Sequence, residues 1–264
     1  MIGVDCSRNT ILFNPTEISL VRHPVTANSF AAKSQELQEA LSLGTPAIAI
    51  TFGHDAPIGV PDFEGTSPEP TDDGRTGKVS AGCVFWGQAT NSTFVTRPAD
   101  HANCNVGSYT HGLKTLEEAA TGDDVAALLK SGWVTAEAVP TIPQVTERFS
   151  VITYGPLAEA ADAPDVVLLH LNPKQTMIMY DAIPEMRIEG KPQCHIIAVA
   201  KEQGVVAASV GCMLSRVRTG MSNNEMTCAI PGPLLDDVVK RLKVAAAVGK
   251  TVAAYASQDA KRFI

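Results

Sequence analysis

This sequence is short of several things, and each shortage removes a class of protein. It holds 21 basic against 28 acidic residues, a net charge of −7, with no block of Lys or Arg. The electrostatic footprint of a nucleic-acid partner is therefore missing. No apolar run approaches the roughly 18 residues that a membrane span needs, so no membrane partner is expected. Met1 to Phe13 lacks the basic start and apolar stretch of a secretory leader, which leads us to expect a cytoplasmic protein. Six cysteines, at 6, 83, 104, 194, 212 and 228, are too thinly spread for the disulfide framework of a small secreted scaffold. No two of them form the close C-x-x-C pair that a structural zinc site favours. Reduced thiols or metal ligands remain as the default. There is also no G-x-G-x-x-G after a strand, no G-x-S-x-G elbow and no H-E-x-x-H. Gly249-Lys250-Thr251 matches the end of a phosphate-binding loop, but Val244 stands where its first glycine belongs. Aromatics make up 5% and charged residues 19%, against 45% hydrophobic residues, which suits a compact chain with ample core.

What is present has the texture of an α/β fold, a mixed sheet with flanking helices. Ala31 to Leu43 has amphipathic helical spacing and stops at Gly44 and Pro46, and Pro46 to Phe52 is a short buried strand. Residues 53–78 carry proline, glycine and acids with no sustained period, a long loop that we expect to cover a site. Helical spacing follows Cys83 and recurs on both sides of Gly122. From Phe149 the chain turns to β-rich runs: FSVITYG, PDVVLLHL, CHIIAVAK, GVVAASVG and TCAIP, with a helical TMIMYDAI between the second and third. Pro233 to Tyr255 is a helix interrupted near Gly249. The expected division is an irregular segment 1–30, one domain over 31–255 and a tail 256–264. Ser80-Ala81-Gly82-Cys83 and Ser209-Val210-Gly211-Cys212 share their wording, which raises a pseudo-duplicated arrangement of halves 31–148 and 149–255.

The blocks GTPAIAITF, Cys83, Cys104-x-x-Gly107 followed by Gly112-Leu113, PDVVLLHLNPKQ, and Gly211-Cys212 through Glu225 to Pro231 occur in an order that resembles a known family. It is the bacterial and archaeal family of domain of unknown function 169, and the resemblance covers about residues 35 to 245. It implies no catalytic residue.

The thiols themselves point to chemistry. Cys83 and Cys212 each stand where a helix is expected to begin, and Cys104 lies in a loop ending at Gly107. Free N–H groups at a helix start favour thiolate, the form that binds soft metals. Three scattered cysteines suit a 4Fe-4S cluster with one iron open to a substrate, whereas four-cysteine ligation is the common electron-transfer arrangement. Cys83, Cys104 and Cys212 are the candidate ligands; Cys6, Cys194 and Cys228 are assigned to packing. Arg216 falls on the helix face of Cys212 and is a candidate clamp for a small anionic substrate. Gln175 opens a helix after a strand, where ligands collect in α/β sheets, and His101 beside Cys104 is the candidate acid or base. The reading is a lyase-type enzyme performing elimination, hydration or desulfuration on a small molecule. Two alternatives stand beside it: a protein that binds a soft metal or metallocofactor without catalysis, and an enzyme with a cysteine nucleophile served by His101 or His111. The plain alternative is that all six thiols are packing.

Overall fold

Alternation of side chains along the central strands decides the architecture. The computed structural model describes residues 27–64, 82–218 and 221–263. The chain runs α1 (Ala27–Leu41), β1 (Ile48–Gly53), α2 (Gly82–Gln88), β2 (Phe94–Thr96), α3 (Asn105–Thr110), α4 (Leu116–Ala120), α5 (Asp123–Lys130) and β3 (Val151–Pro156). It continues through β4 (Val166–Leu171), α6 (Pro173–Ala182), β5 (Arg187–Glu189), α7 (His195–Gln203), β6 (Ala207–Ser209), α8 (Met213–Arg218), β7 (Met226–Pro231) and α9 (Leu235–Asp259). The strands form one mixed sheet of seven, in the order β2-β3-β1-β4-β7-β6-β5. The β5–β6 pair is parallel and the others are antiparallel. The α/β class with a mixed sheet is as the sequence indicates. The halves 31–148 and 149–255 share this one sheet, because β3 from the second lies between β2 and β1 from the first.

Every second residue of a strand faces the same side. On β4, Val167, Leu169 and Leu171 join Cys228 and Ile230 of β7 in a core closed by α1, α6 and α9, with Leu37, Met179, Val238 and Leu242. On the opposite side Val166 and Leu168 join Ile50, Phe85, Trp86, Ile152 and Tyr154 under α2 and α7. The next residue of β4 on that second side is His170, paired in register with Thr227 of β7. A polar pair thus stands at the end of an apolar row.

Two expectations change. The run Cys194 to Lys201, expected as a strand, is the start of α7. A short apolar run fits a buried strand or a buried helix equally, and Ile196 to Ala200 are buried all round, as in a helix with no solvent face. Gly204, at φ 64°, ends it in the left-handed conformation. Helix α9 passes Gly249 without a break and reaches Asp259, beyond the expected boundary at 255. Of the loop 53–78, residues 65–78 lie outside the described residues, while 53–64 are tied to the sheet edge. Phe63 N–H donates to Val95 O at 2.7 Å, Val95 N–H to Pro61 O at 2.9 Å, and the Phe63 ring meets Phe85 edge-on at 4.8 Å. Among the described residues no helix is long and apolar enough to cross a membrane.

Candidate functional site

Four cysteines stand at the starts of four helices on the second side of the sheet. Cys83 lies in the first turn of α2. Cys104 caps α3, its sulfur accepting the Gly107 N–H at 3.4 Å. Cys194 immediately precedes α7. Cys212 immediately precedes α8, where its carbonyl accepts Ser215 Oγ at 2.9 Å. Cys83, Cys104 and Cys212 are half-buried and Cys194 is buried. Burial pushes the Cys194 thiol well up, and the charges of Cys104, Cys212 and Cys83 push it further; a hydrogen bond with Thr110 pulls the other way. Cys194 therefore feels three other thiols, although they come from distant stretches of chain. Among the described residues, no group of three or more His, Cys, Asp or Glu side chains is arranged to hold a metal ion.

Behind the thiols lies a buried polar group. Tyr154, in the middle of β3, has a hydroxyl with no partner, and its pKa is raised by burial and then by Cys194 and Cys83. The Thr96 hydroxyl donates to Ile152 O at 3.1 Å, so toward His101 Nε2, at 2.9 Å, it accepts. The His101 proton is then on Nε2 and its unpartnered Nδ1 is a bare lone pair. His111 Nδ1 donates to Gly107 O at 2.7 Å, which leaves its unpartnered Nε2 bare as well. Burial drives both rings toward the neutral form: His101 well below the ordinary value with help from His111, and His111 to about 4 despite the Gly107 hydrogen bond.

In front of Cys83 opens a cavity of about 210 Å³, lined by Thr45, Cys83, Trp86, His170, Gln193, Met221, Glu225 and Thr227 among others. His170 Nδ1 and Glu225 Oε1 are 2.5 Å apart. The hydrogen bond with His170 is the first of the interactions that hold the Glu225 carboxyl below its ordinary range.

The model of the family described as uncharacterised ArCR, domain of unknown function 169, matches residues 36–241. The chain belongs to this family. It matches no curated protein and no solved structure. The matched span contains every residue of the thiol group and of the cavity in this family member.

The residues singled out from sequence are thus placed unevenly. Cys83, Cys104 and Cys212 share one region, and Cys194, assigned to packing, sits among them. Cys228 is in the opposite core, its thiol pushed up to about 12 by burial, and Cys6 lies outside the described residues. His101 is 1% exposed and packs against Phe85 at 4.7 Å, behind the thiols rather than in the cavity. Gln175 forms a reciprocal capping box with Asn172, and its amide donates to Leu41 O at 3.1 Å and Ser42 O at 2.8 Å. Its hydrogen-bonding groups are occupied within the fold. Arg216 donates to the carbonyls of Val210 (2.7 Å), Glu225 (3.0 Å) and Ser222, so it braces the chain that carries Cys212 and Glu225. Sequence reasoning passed over His170, Gln193, Trp86 and Thr227. The available signal was a histidine in the otherwise apolar run PDVVLLHL, where the strand alternation gives it an inward position.

Proposed function

We propose that this is a cytoplasmic enzyme in which Cys83, Cys104 and Cys212 hold a 4Fe-4S cluster beside a substrate cavity. The observation that carries the reading is the electrostatic coupling of thiols at positions 83, 104 and 212 through Cys194. Irons and sulfides spread the ligands of a cluster more widely than a single ion does, which suits thiols that each act on Cys194 without meeting at one ion. Bound there, a cluster with an open iron supplies a Lewis acid for elimination, hydration or desulfuration. The chain's own contributions are separate. Cys83 belongs both to the thiol group and to the cavity wall, so a molecule in the cavity lies against the ligand set. Burial keeps Cys194 protonated, so it stands apart from the three proposed ligands as a neutral thiol. His170, oriented through Nδ1 by Glu225, offers Nε2 as a base.

The test is iron and sulfide analysis, with an absorption spectrum, on protein purified without oxygen. Serine at Cys83, Cys104 or Cys212 is expected to abolish iron content, because hard oxygen replaces thiolate poorly at a soft metal, while Cys228→Ser keeps it. Iron retained in all three serine variants sinks the ligand assignment.

A second reading has an observation of its own: Cys83 shares its cavity with His170 and Glu225, the parts of a cysteine nucleophile with an oriented base. Here His170 takes the part first assigned to His101 or His111. Iron-free protein in which iodoacetamide modifies Cys83 much faster than Cys104 and Cys212, with His170→Gln removing the difference, favours this reading over the cluster.

A further inference from the structure

Ten buried side-chain polar atoms among the described residues have no hydrogen-bond partner, and five belong to residues that line the Cys83 cavity: Thr45 Oγ1, Trp86 Nε1, His170 Nε2, Gln193 Oε1 and Thr227 Oγ1. Trp86, Thr227 and Gln193 are 0%, 1% and 3% exposed. A folded chain pairs nearly all its buried polar atoms, and five exceptions around one space call for an explanation. Their chemistry is specific. The indole N–H of Trp86 can only donate. Because His170 Nδ1 faces the Glu225 carboxylate, Nε2 is an acceptor in the neutral ring. Gln193 Oε1 also accepts, and the hydroxyls of Thr45 and Thr227 adapt to either role. Thr227 lies directly across from His170 in the β4–β7 register, so the two side chains leave the sheet on the same side at one point.

Charge narrows the class further. Among the described residues lining the cavity there is no Lys or Arg, and its acidic side chain is the Glu225 carboxylate, which the Ser222 N–H also approaches at 3.3 Å. An anionic guest would meet that carboxylate and two bare acceptors, with no cation among the described lining residues to answer it. An ammonium ion would leave Trp86 with nothing to donate to. A volume of about 210 Å³ equals that of about seven liquid waters, which limits the guest to a small molecule.

We propose that this cavity binds a small uncharged molecule carrying a carbonyl oxygen next to an N–H or O–H, the chemistry of an amide, urea or hydroxy-carbonyl. The carbonyl accepts from Trp86 Nε1 and the adjacent proton is given to His170 Nε2 and Gln193 Oε1. This rests on the reading of the cavity as the substrate site, whose wall shares Cys83 with the thiol group. It replaces the anionic substrate held by Arg216 that residue types alone suggest.

Saturation-transfer NMR on the full chain, with acetamide, acetate and methylammonium as probes of similar size, tests it. Acetamide is expected to bind in preference to both ions. Thr227→Val and Trp86→Phe, each checked for an unchanged far-UV spectrum and melting profile, are expected to weaken acetamide by roughly three- to tenfold, the worth of one neutral hydrogen bond. Preference for either ion, acetamide binding unchanged in both variants, or a cavity that takes water only and no probe overturns the assignment. Iron content of the same preparations is read separately, so failure of the ligand class and failure of the cluster are distinguishable.

Discussion

The side of the sheet under α1, α6 and α9 and the side that carries the thiols are built from the same strands, yet they treat polar atoms in opposite ways. On the first, Leu37, Val167, Leu169, Leu171, Met179 and Leu242 fill the space between sheet and helices, and Ser29 of α1 accounts for one unpartnered polar atom. On the second, unpartnered atoms of Trp86 and Tyr154 lie in the core itself, and those of His170 and Thr227 stand at the end of the β4 and β7 row. Each such atom costs about 1–3 kcal/mol when buried without a partner. Two cysteines make the same contrast in one residue type. Cys228 is sealed among aliphatic side chains with its pKa near 12, while Cys194 is raised by other thiols as well as by burial. Burial alone does not make a cysteine structural; what it is buried against does. One side of this sheet holds the fold together, and the other gathers unpartnered polar atoms at a cost in stability.

The comparison is sharpened most by truncation on the packed side. Leu169→Ala, at a fully buried position, is expected to lower unfolding free energy by about 2–5 kcal/mol. Guanidinium denaturation measures it, and a loss below about 1 kcal/mol would mean this side is not close-packed. Acid is the next lever and acts on the other side. His111 titrates near 6.5 when unfolded and about 4 when folded, so between those values the unfolded chain binds the extra proton. Stability is therefore full above about pH 6.5 and falls as pH drops toward about 4, by on the order of 3 kcal/mol from this ring. His101 pulls in the same direction. The Glu225 carboxyl, depressed by His170, adds a loss in a lower window, as pH falls below the ordinary carboxylate range. Denaturation midpoints that stay flat from pH 7 to about 4.5 would contradict neutral, buried imidazoles.

A smaller effect is expected at the turn before Cys212. Gly211 has φ 95°, and a Cβ there would come within 2.7 Å of Arg216 Nη2. Gly211→Ala is expected to cost about 1–2 kcal/mol; a neutral result by thermal melting would show that the turn re-forms freely. The smallest effect has the opposite sign. Thr227→Val keeps shape while deleting an unpartnered hydroxyl, so it is expected to leave stability unchanged or raise it by up to about 1 kcal/mol. A loss as large as that of Leu169→Ala would erase the distinction between the two sides.

The legible parts of the sequence were those where local pattern and tertiary role agree. GTPAIAITF and PDVVLLHL became β1 and β4 because their apolar runs are buried on both sides of the sheet, and the helix expected after Cys83 is α2. CHIIAVAK misled because a helix buried all round has no polar stripe to reveal its period. The three thiols were visible as cysteines in glycine-rich settings. The cavity was not visible, because His170, Thr227 and Glu225 become neighbours only through the antiparallel register of β4 and β7, in which residues 170 and 227 meet. No spacing along the chain encodes that meeting. Arg216 was noticed for its charge, yet its place is set by the carbonyls of Val210, Ser222 and Glu225, which carry no side-chain signature.

That same guanidinium fastens two stretches of chain at one point. The turn from Val210 that leads to Cys212 and the entry to β7 at Glu225 are both fastened to it, whereas Gln193 and Cys194 are held by the buried body of α7. Local opening that releases one end of the brace is expected to release the other, so the carboxylate that meets His170 and the turn that carries Cys212 should open together. Lysine in its place has a point charge and no planar fork. The two ends would then open independently, and hydrogen exchange in Arg216→Lys would report faster opening around Val210 and Glu225 while the amides of α7 keep their protection.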